Sequence, residues 1–120
     1  MKRILLADDS DIIRGALRRV FEESGWTVCA EASNGKEAVA KAHELKPDIV
    51  VLDLSMPVMN GLTAGRILKE TTPETHLILF TSFGTLISKQ DLQSAGFAAL
   101  IPKGDAGKLV MTAQALLNAV

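Results

Sequence analysis

The stretch Ile49-Val50-Val51-Leu52-Asp53 is an apolar run that ends on a reactive side chain, here a carboxylate, and three other apolar runs of the chain also lead into reactive side chains. They are residues 4–7 before Asp8 and Asp9, residues 77–80 before Thr81, and residues 98–101 before Pro102 and Lys103. Unbroken apolar runs of this length are typical of strands that are covered on both faces. If the four runs are neighbouring parallel strands, the side chains that follow them converge at one edge of the sheet, where open α/β folds bind their ligands.

Size and composition indicate one compact domain. The chain has 120 residues, of which 48% are hydrophobic, and this is enough for one core and argues against disorder. Thirteen basic and fourteen acidic side chains leave a net charge of −1, so we expect no direct nucleic-acid binding. The N-terminal apolar run is too short for a signal peptide or a membrane span. We therefore predict a single domain over residues 1–120, in a cytoplasmic protein that does not bind membranes.

Predicted strands alternate with predicted helices along the whole chain. The strands are expected near residues 3–8, 27–31, 48–53, 77–81 and 97–102. Apolar residues at helical spacing predict a helix after each strand. The fourth helix is expected over residues 86–95, on a weak pattern, and ends at Gly96. The fifth begins near Asp105, and its expected inward positions are Leu109, Thr112, Leu116 and Ala119.

The predicted topology is a doubly wound, five-stranded parallel sheet with strand order 2-1-3-4-5, a flavodoxin-like α/β fold. Alternating strands and helices with short turns require right-handed crossovers and leave few other arrangements. This order places strands 1 and 3 side by side at the switch point of the sheet, so that Asp8, Asp9 and Asp53 meet there. Strand 5 lies at an edge, where Pro102 is tolerated because its missing N–H is not needed for pairing.

Three carboxylates, a hydroxyl and an ammonium at one edge of a sheet describe a phosphoryl-transfer site. Clustered carboxylates repel one another, and a hard cation such as Mg²⁺ relieves this repulsion and also bridges to phosphate. A carboxylate that attacks phosphorus needs the charge on the phosphoryl oxygens neutralised and the donor held in line. We therefore predict a Mg²⁺ site with a nucleophile among the aspartates and a phosphate clamp formed by Thr81 and Lys103.

Each of these residues also has a simpler interpretation. Asp8 and Asp9 could only cap the first helix, and Asp53 could only belong to a turn. Thr81 taken alone is more often the end of a strand, and Lys103 taken alone is more often a solvated cation. The convergence of all four strand ends favours the site.

The same segments resemble the response-regulator receiver domains of two-component signalling over nearly the whole chain. The segments that carry the resemblance are residues 4–9, Asp53-Leu54-Ser55-Met56-Pro57, Val58-Met59-Asn60-Gly61, Thr81 and Lys103. The stretches Leu6-Ala7-Asp8-Asp9-Ser10, Glu31-Ala32-Ser33-Asn34-Gly35 and Asp53-Leu54-Ser55-Met56-Pro57 are most similar to receivers that precede LuxR-type helix-turn-helix domains. The resemblance implies a CheY-like (βα)5 fold and an output domain, expected to be a LuxR-type DNA-binding domain, outside these residues.

The resemblance also implies a role for each site residue. Asp53 would accept a phosphoryl group from a phosphohistidine on a sensor histidine kinase. The implied Mg²⁺ ligands are Asp9 directly, Asp8 mainly through water, Asp53, and the main-chain carbonyl of Ser55. Thr81 would hydrogen-bond one phosphoryl oxygen, and Lys103 would pair with another. The side chains of Ser55 and Phe83, two positions after the acceptor and the threonine, would flank the approach of hydrolytic water.

By the same resemblance the domain is a regulatory switch and not an enzyme, although it catalyses its own phosphorylation and dephosphorylation. Phosphorylation would draw Thr81 inward and shift the surface of helix 4, strand 5 and helix 5, which is expected to control a transcriptional output. A homodimer that forms on phosphorylation is one expected assembly. The family usually has an aromatic residue three positions before the lysine, and here Leu100 stands there. Whether Leu100 replaces the aromatic switch is left open by the sequence.

Two other classes of function remain as alternatives. A Mg²⁺-dependent aspartyl-nucleophile phosphatase typically has an Asp-x-Asp pair at the first strand, whereas here Ala7 precedes Asp8 and Ser10 follows Asp9. A flavodoxin-type binding module needs a turn rich in hydroxyl groups and glycine after strand 1. The turn here is Asp8-Asp9-Ser10-Asp11, which would repel a phosphate.

Overall fold

The computed structural model describes residues 2–118, which form one five-stranded sheet flanked by helices. The strands are β1 (Arg3–Ala7), β2 (Thr27–Ala32), β3 (Ile49–Leu52), β4 (His76–Thr81) and β5 (Phe97–Pro102). The helices are α1 (Asp11–Glu23), α2 (Gly35–Leu45), α3 (Gly61–Thr71), α4 (Lys89–Ser94) and α5 (Ala106–Asn118), with a 3₁₀ turn at Gly84–Leu86 before α4. Ala119, predicted on the inward face of the last helix, lies outside the described residues.

The sheet is parallel throughout, and its order β2-β1-β3-β4-β5 confirms the predicted topology. The ends of the two central strands are level, because Ala7 of β1 pairs with Leu52 of β3. The residues that follow them therefore emerge side by side. The end of β4 is level with that of β5, where Thr81 pairs with Pro102.

The core has two layers, one on each face of the sheet. Side chains of a strand point alternately to the two faces, and β1 shows this directly. Leu5 lies in the layer that α2 and α3 cover, whereas Leu6 lies in the layer that α1 and α5 cover. Burial on both faces explains the unbroken apolar runs of the sequence and holds the strand ends in fixed positions.

Helix α4 is shorter than the sequence predicts. The expected helix covers residues 86–95, but the structure places α4 at Lys89–Ser94. Ser88 caps it, because the Ser88 Oγ atom accepts a hydrogen bond of 3.0 Å from the Asp91 backbone N–H. Ile87 is extended between the 3₁₀ turn and this cap, so it interrupts the predicted helix. Gly96, with φ +84, ends the segment as predicted.

Within residues 2–118, no helix combines the length and the hydropathy that a membrane crossing requires.

Candidate functional site

The backbone of the sheet continues one residue past β1 and β3 and fixes the two aspartates that follow. The Asp8 N–H donates to the Ala32 carbonyl at 3.0 Å, and the Asp53 N–H donates to the Ala7 carbonyl at 3.0 Å. Asp8 and Asp53 are 2% and 3% exposed, so two carboxylates are buried side by side. Thr81 is also buried at the end of β4.

The three predicted metal-binding aspartates form one cluster. Asp8, Asp9 and Asp53 each offer a carboxylate oxygen, and these three atoms lie within 4.8 Å of one another. Asp9 is exposed, so the cluster opens to solvent on its side. Buried carboxylates this close together repel one another unless a positive charge lies between them.

Lys103 supplies positive charge to the two buried carboxylates. Its Nζ atom donates a 2.8 Å hydrogen bond to Asp53 Oδ2 and lies 2.8 Å from Asp8 Oδ2. The second contact is an ion pair, because its angles do not meet hydrogen-bond geometry. Burial lowers the pKa of Lys103, but its close contacts with the Asp53 and Asp8 carboxylates outweigh burial and raise that pKa above its ordinary value. Lys103 is therefore a fixed cation.

The cluster fits a hard divalent cation. The buried Oδ1 atom of Asp53 has no hydrogen-bond partner among residues 2–118, although a buried carboxylate oxygen normally has one. Lys103 offers one positive charge against three carboxylates, and the donor set consists of oxygen alone, which is what Mg²⁺ prefers. The residues present therefore fit the predicted Mg²⁺ site.

The loop after β3 carries Ser55, the fourth predicted ligand. This loop turns sharply beneath α3, because a Cβ atom on Gly61 would lie 2.1 Å from the Asp53 carbonyl oxygen, so only glycine fits. Asn60 caps α3 by accepting a 2.8 Å hydrogen bond from the Thr63 N–H. Ser55 itself is exposed and lines a surface cavity of about 470 Å³ together with Phe83 and four other residues.

Thr81 is the last residue of β4, and its hydroxyl contacts the loop that follows. Its Oγ1 atom accepts a 3.1 Å hydrogen bond from the Phe83 N–H. A hydroxyl that accepts in this way keeps its own proton to donate elsewhere. Thr81 is thus a buried donor at the same edge of the sheet as Asp53.

Sequence reasoning missed Arg14 and Glu31. Arg14 belongs to none of the motifs found in the sequence, but its Nη1 atom donates a 2.7 Å hydrogen bond to the Asp8 carbonyl. Its Nε atom donates to Glu31 Oε1 on β2 at 3.1 Å. Arg14 and Glu31 lie 17 positions apart on different elements, so no local spacing signals their contact.

The fold and the site together define a doubly wound α/β domain with an acidic cluster at the ends of its central strands, and comparison with known proteins gives the family. The family described as "Response regulator receiver domain" matches residues 4–114. The chain belongs to this family, so it is the phosphoacceptor domain of a two-component system.

Several relatives with different outputs are similar to this chain. The "Chemotaxis protein CheY" of Thermotoga maritima is 41% identical over 83 residues, which are 69% of each chain. The crystal structure of the response regulator domain of Thermotoga maritima CheB has a TM-score of 0.90 at 26% identity, over 100% of this chain and 98% of that one. A LuxR-family response regulator from Aurantimonas sp. SI85-9A1 has a TM-score of 0.88 at 32% identity, over 97% of this chain and 84% of that one.

The chain spans only 28–35% of the length of the curated protein-glutamate methylesterases to which it is also similar. The family is therefore established, whereas the kind of output is not.

Proposed function

We propose that Asp53 accepts a phosphoryl group from a phosphohistidine of a sensor histidine kinase, and that this modification shifts the surface formed by α4, β5 and α5. The observation that carries the proposal is the position of the Asp53 carboxylate. It is buried, the Lys103 ammonium holds its Oδ2 atom, and its Oδ1 atom has no partner among residues 2–118. Family membership supports the same reading over the phosphatase and the flavodoxin-type module.

The proposed reaction joins an Asp53 oxygen to phosphorus and breaks the phosphorus–nitrogen bond of the donor. The electron pair of the broken bond goes to the imidazole, which takes up a proton. Asp9, Asp8, Asp53 and the Ser55 carbonyl would hold Mg²⁺, which when bound supplies positive charge to the phosphoryl oxygens.

The remaining steps belong to Lys103 and Thr81. Lys103 already lies against Asp53, so it can exchange a carboxylate oxygen for a phosphoryl oxygen without leaving the site. Thr81 donates its hydroxyl proton to another phosphoryl oxygen. The Phe83 backbone N–H donates a hydrogen bond to the Thr81 hydroxyl, so movement of Thr81 would also move the start of the β4–α4 loop. The movement would be transmitted through this loop to α4.

Acetyl phosphate with Mg²⁺ tests the nucleophile. We expect intact-mass analysis to show one added phosphoryl group on the wild-type protein and none on Asp53→Asn. Asp91→Asn, which changes an exposed carboxylate on α4, is the matched control and should label normally. Undiminished labelling of Asp53→Asn would reject the assignment, as would multiple turnover on phosphate esters, which favours the phosphatase. Failure to bind Mg²⁺ would favour the flavodoxin-type module.

We further propose a transcriptional output through a LuxR-type DNA-binding domain. The support is the likeness of three sequence segments to such receivers and the 32% identity to the LuxR-family structure. The reading frame beyond Val120 tests this proposal. A helix-turn-helix domain there would support it, whereas a methylesterase domain or a stop codon would contradict it. The cytoplasmic location and the homodimer on phosphorylation stay predictions.

A further inference from the structure

The guanidinium of Arg14 joins three parts of the chain beside the carboxylate cluster. Its Nη1 atom donates to the Asp8 carbonyl at 2.7 Å, and its Nε atom donates to Glu31 Oε1 at 3.1 Å. Its Nη2 atom pairs with Asp11 in the first turn of α1. The Arg14 side chain is only 14% exposed, whereas Asp11 is 90% exposed, so the contacts with Asp8 and Glu31 are the ones that are partly shielded from solvent.

The contact with the Asp8 carbonyl fixes the peptide that leads into Asp9. The Asp8 carbonyl and the Asp9 N–H belong to one rigid peptide plane, so holding one atom sets the direction of the chain at Asp9. The carboxylate of Asp8 is held separately, because Asp8 Oδ1 accepts from the Ser10 N–H at 2.9 Å. No hydrogen bond or ion pair holds the Asp9 side chain among residues 2–118. The backbone therefore aims the Asp9 carboxylate.

Arg14 is itself held in place by an ionic network on β2. Arg18 Nε donates to the second carboxylate oxygen of Glu31 at 2.6 Å, so two arginines share one carboxylate. The hydrogen bond from Arg18, and then that from Arg14, lower the pKa of Glu31 against the opposing effect of burial. Glu31 and Asp11 also offset the charge of Arg14. The Arg14 guanidinium therefore affects the carboxylate cluster mainly through its fixed position and less through its charge.

We infer that Arg14 is a positioning residue for Mg²⁺ binding, which acts by holding the Asp8–Asp9 peptide so that the Asp9 carboxylate points into the cluster. This inference rests on the proposed function of the site. Groups that orient metal ligands from outside typically change metal affinity by about 10–100-fold. Arg14 does not touch the metal ligand atoms, so its loss should weaken Mg²⁺ binding without removing the nucleophile.

Three variants separate geometry from charge. Arg14→Lys keeps the charge but lacks the planar fork that reaches the carbonyl and Glu31 together. Arg14→Ala removes both. Arg18→Ala is the matched control, because it removes a contact to Glu31 but no contact to the Asp8–Asp9 turn.

A Mg²⁺ titration, monitored through the NMR signals of the Asp9 and Ser10 backbone amides, measures the affinity for Mg²⁺ without any phosphoryl transfer. We expect both Arg14 variants to bind Mg²⁺ about tenfold more weakly than wild type, and Arg18→Ala to stay within about threefold. In acetyl phosphate labelling at saturating Mg²⁺, the Arg14 variants should reach the same final extent as wild type. Thermal unfolding of each variant checks that it is folded, and Arg14→Lys carries the test if Arg14→Ala is not.

Unchanged Mg²⁺ affinity in Arg14→Lys would overturn the inference. Tighter binding in Arg14→Ala would also overturn it, because repulsion between the arginine and Mg²⁺ would then outweigh positioning. An equal loss in Arg18→Ala would assign the effect to Glu31 and not to the Asp8–Asp9 peptide. Absence of labelling in the wild-type protein would reject the proposed function itself, whereas the Mg²⁺ titration would still decide the role of Arg14.

Discussion

The two central strand ends and the α4 segment of this domain are held in opposite ways. Strand β3 is fully buried, and sheet hydrogen bonds continue past it to Asp53. Helix α4 and the 3₁₀ turn before it contain no buried residue, and Leu86 in that turn is 76% exposed. Burial and backbone hydrogen bonds set local stability, so opening of the α4 segment should cost far less free energy than opening of the strand ends.

This difference assigns different tasks to the two regions. Phosphoryl transfer depends on in-line placement, and an error of about 1 Å can cost about 100-fold in rate. A switch instead needs two states that differ by only a few kcal/mol, so that a single modification can exchange them. The buried strand ends suit the chemistry, and the exposed α4 segment suits the change of state.

The largest expected difference between the two regions is the loss of stability when one leucine in each is truncated to alanine. Leu52→Ala removes a fully buried side chain next to the nucleophile and should lower the free energy of unfolding by about 3 kcal/mol. Leu86→Ala removes an exposed one and should change it by less than about 0.5 kcal/mol. Urea denaturation measures both. Equal losses in the two variants would show that the α4 segment is packed as firmly as the sheet.

The same contrast explains what the sequence could predict. The strands and their order follow from apolar runs, because a strand buried on both faces admits few polar residues. Helix α4 has no fully buried residue and packs on the core through the half-buried Leu92, so hydrophobic spacing carried little information about where it begins. The usable signal was Ser88 three positions before Asp91, a helix-start pattern of the kind that marks a cap.

The contact between Arg14 and Glu31 could not be predicted in this way. It depends on how α1 lies across β2, which is a property of the folded sheet and not of either segment. The juxtaposition of Asp8 and Asp53 was predictable, because each directly follows a central strand and the sheet places the two side by side. Asp9 lies one residue further on, in the turn whose peptide Arg14 contacts, so its placement depends on more than the sheet.

The lifetime of the phosphorylated state should depend on Phe83, at the start of the exposed region. Phe83 is 47% exposed and lines the cavity that Ser55 also lines. If its ring covers the phosphoryl group, it should exclude or misplace the attacking water. We expect Phe83→Ala to shorten the lifetime about tenfold, which corresponds to about 1.4 kcal/mol in barrier height.

Phosphate release after removal of the donor measures this lifetime. Leu86→Ala is the control, because Leu86 lines the same cavity but lies five positions after Thr81, whereas Phe83 lies two positions after it. Mg²⁺ affinity should stay the same in both variants. An equal or longer lifetime in Phe83→Ala would rule out shielding by this ring.

Coupling between the two regions should be weak at Leu100, the position where related domains usually carry an aromatic residue. Leu100 is half-buried and lies against Gly84, since a Cβ atom on Gly84 would come 2.7 Å from Leu100 Cδ2. We expect Leu100→Ala to leave Mg²⁺ affinity unchanged and to reduce, but not abolish, the chemical-shift changes that beryllofluoride causes in α4 and α5. Complete loss of those distal changes would instead make Leu100 itself the switch.

The smallest expected effect is a gain in stability on replacing Val58. This residue lies in a strained conformation in the loop after β3, close to the firmly held strand ends. Val58 has φ +68, and the Met59 N–H donates to the Pro57 carbonyl across it at 2.7 Å, which is a γ-turn. A sparsely populated backbone conformation of this kind costs a residue other than glycine about 1–3 kcal/mol. Glycine enters it freely but loses about 0.5–1 kcal/mol more chain entropy on folding. Val58 is 79% exposed, so its replacement loses little burial of apolar surface.

We expect Val58→Gly to raise the free energy of unfolding by about 0.5 kcal/mol and Val58→Ala, which keeps its Cβ, to raise it by less. Urea denaturation of the wild-type protein and the two variants measures these free energies of unfolding. A loss of stability in Val58→Gly would mean that the valine side chain holds the loop, whereas the expected gain would mean that Gly61 and the cap at Asn60 hold it against the strain.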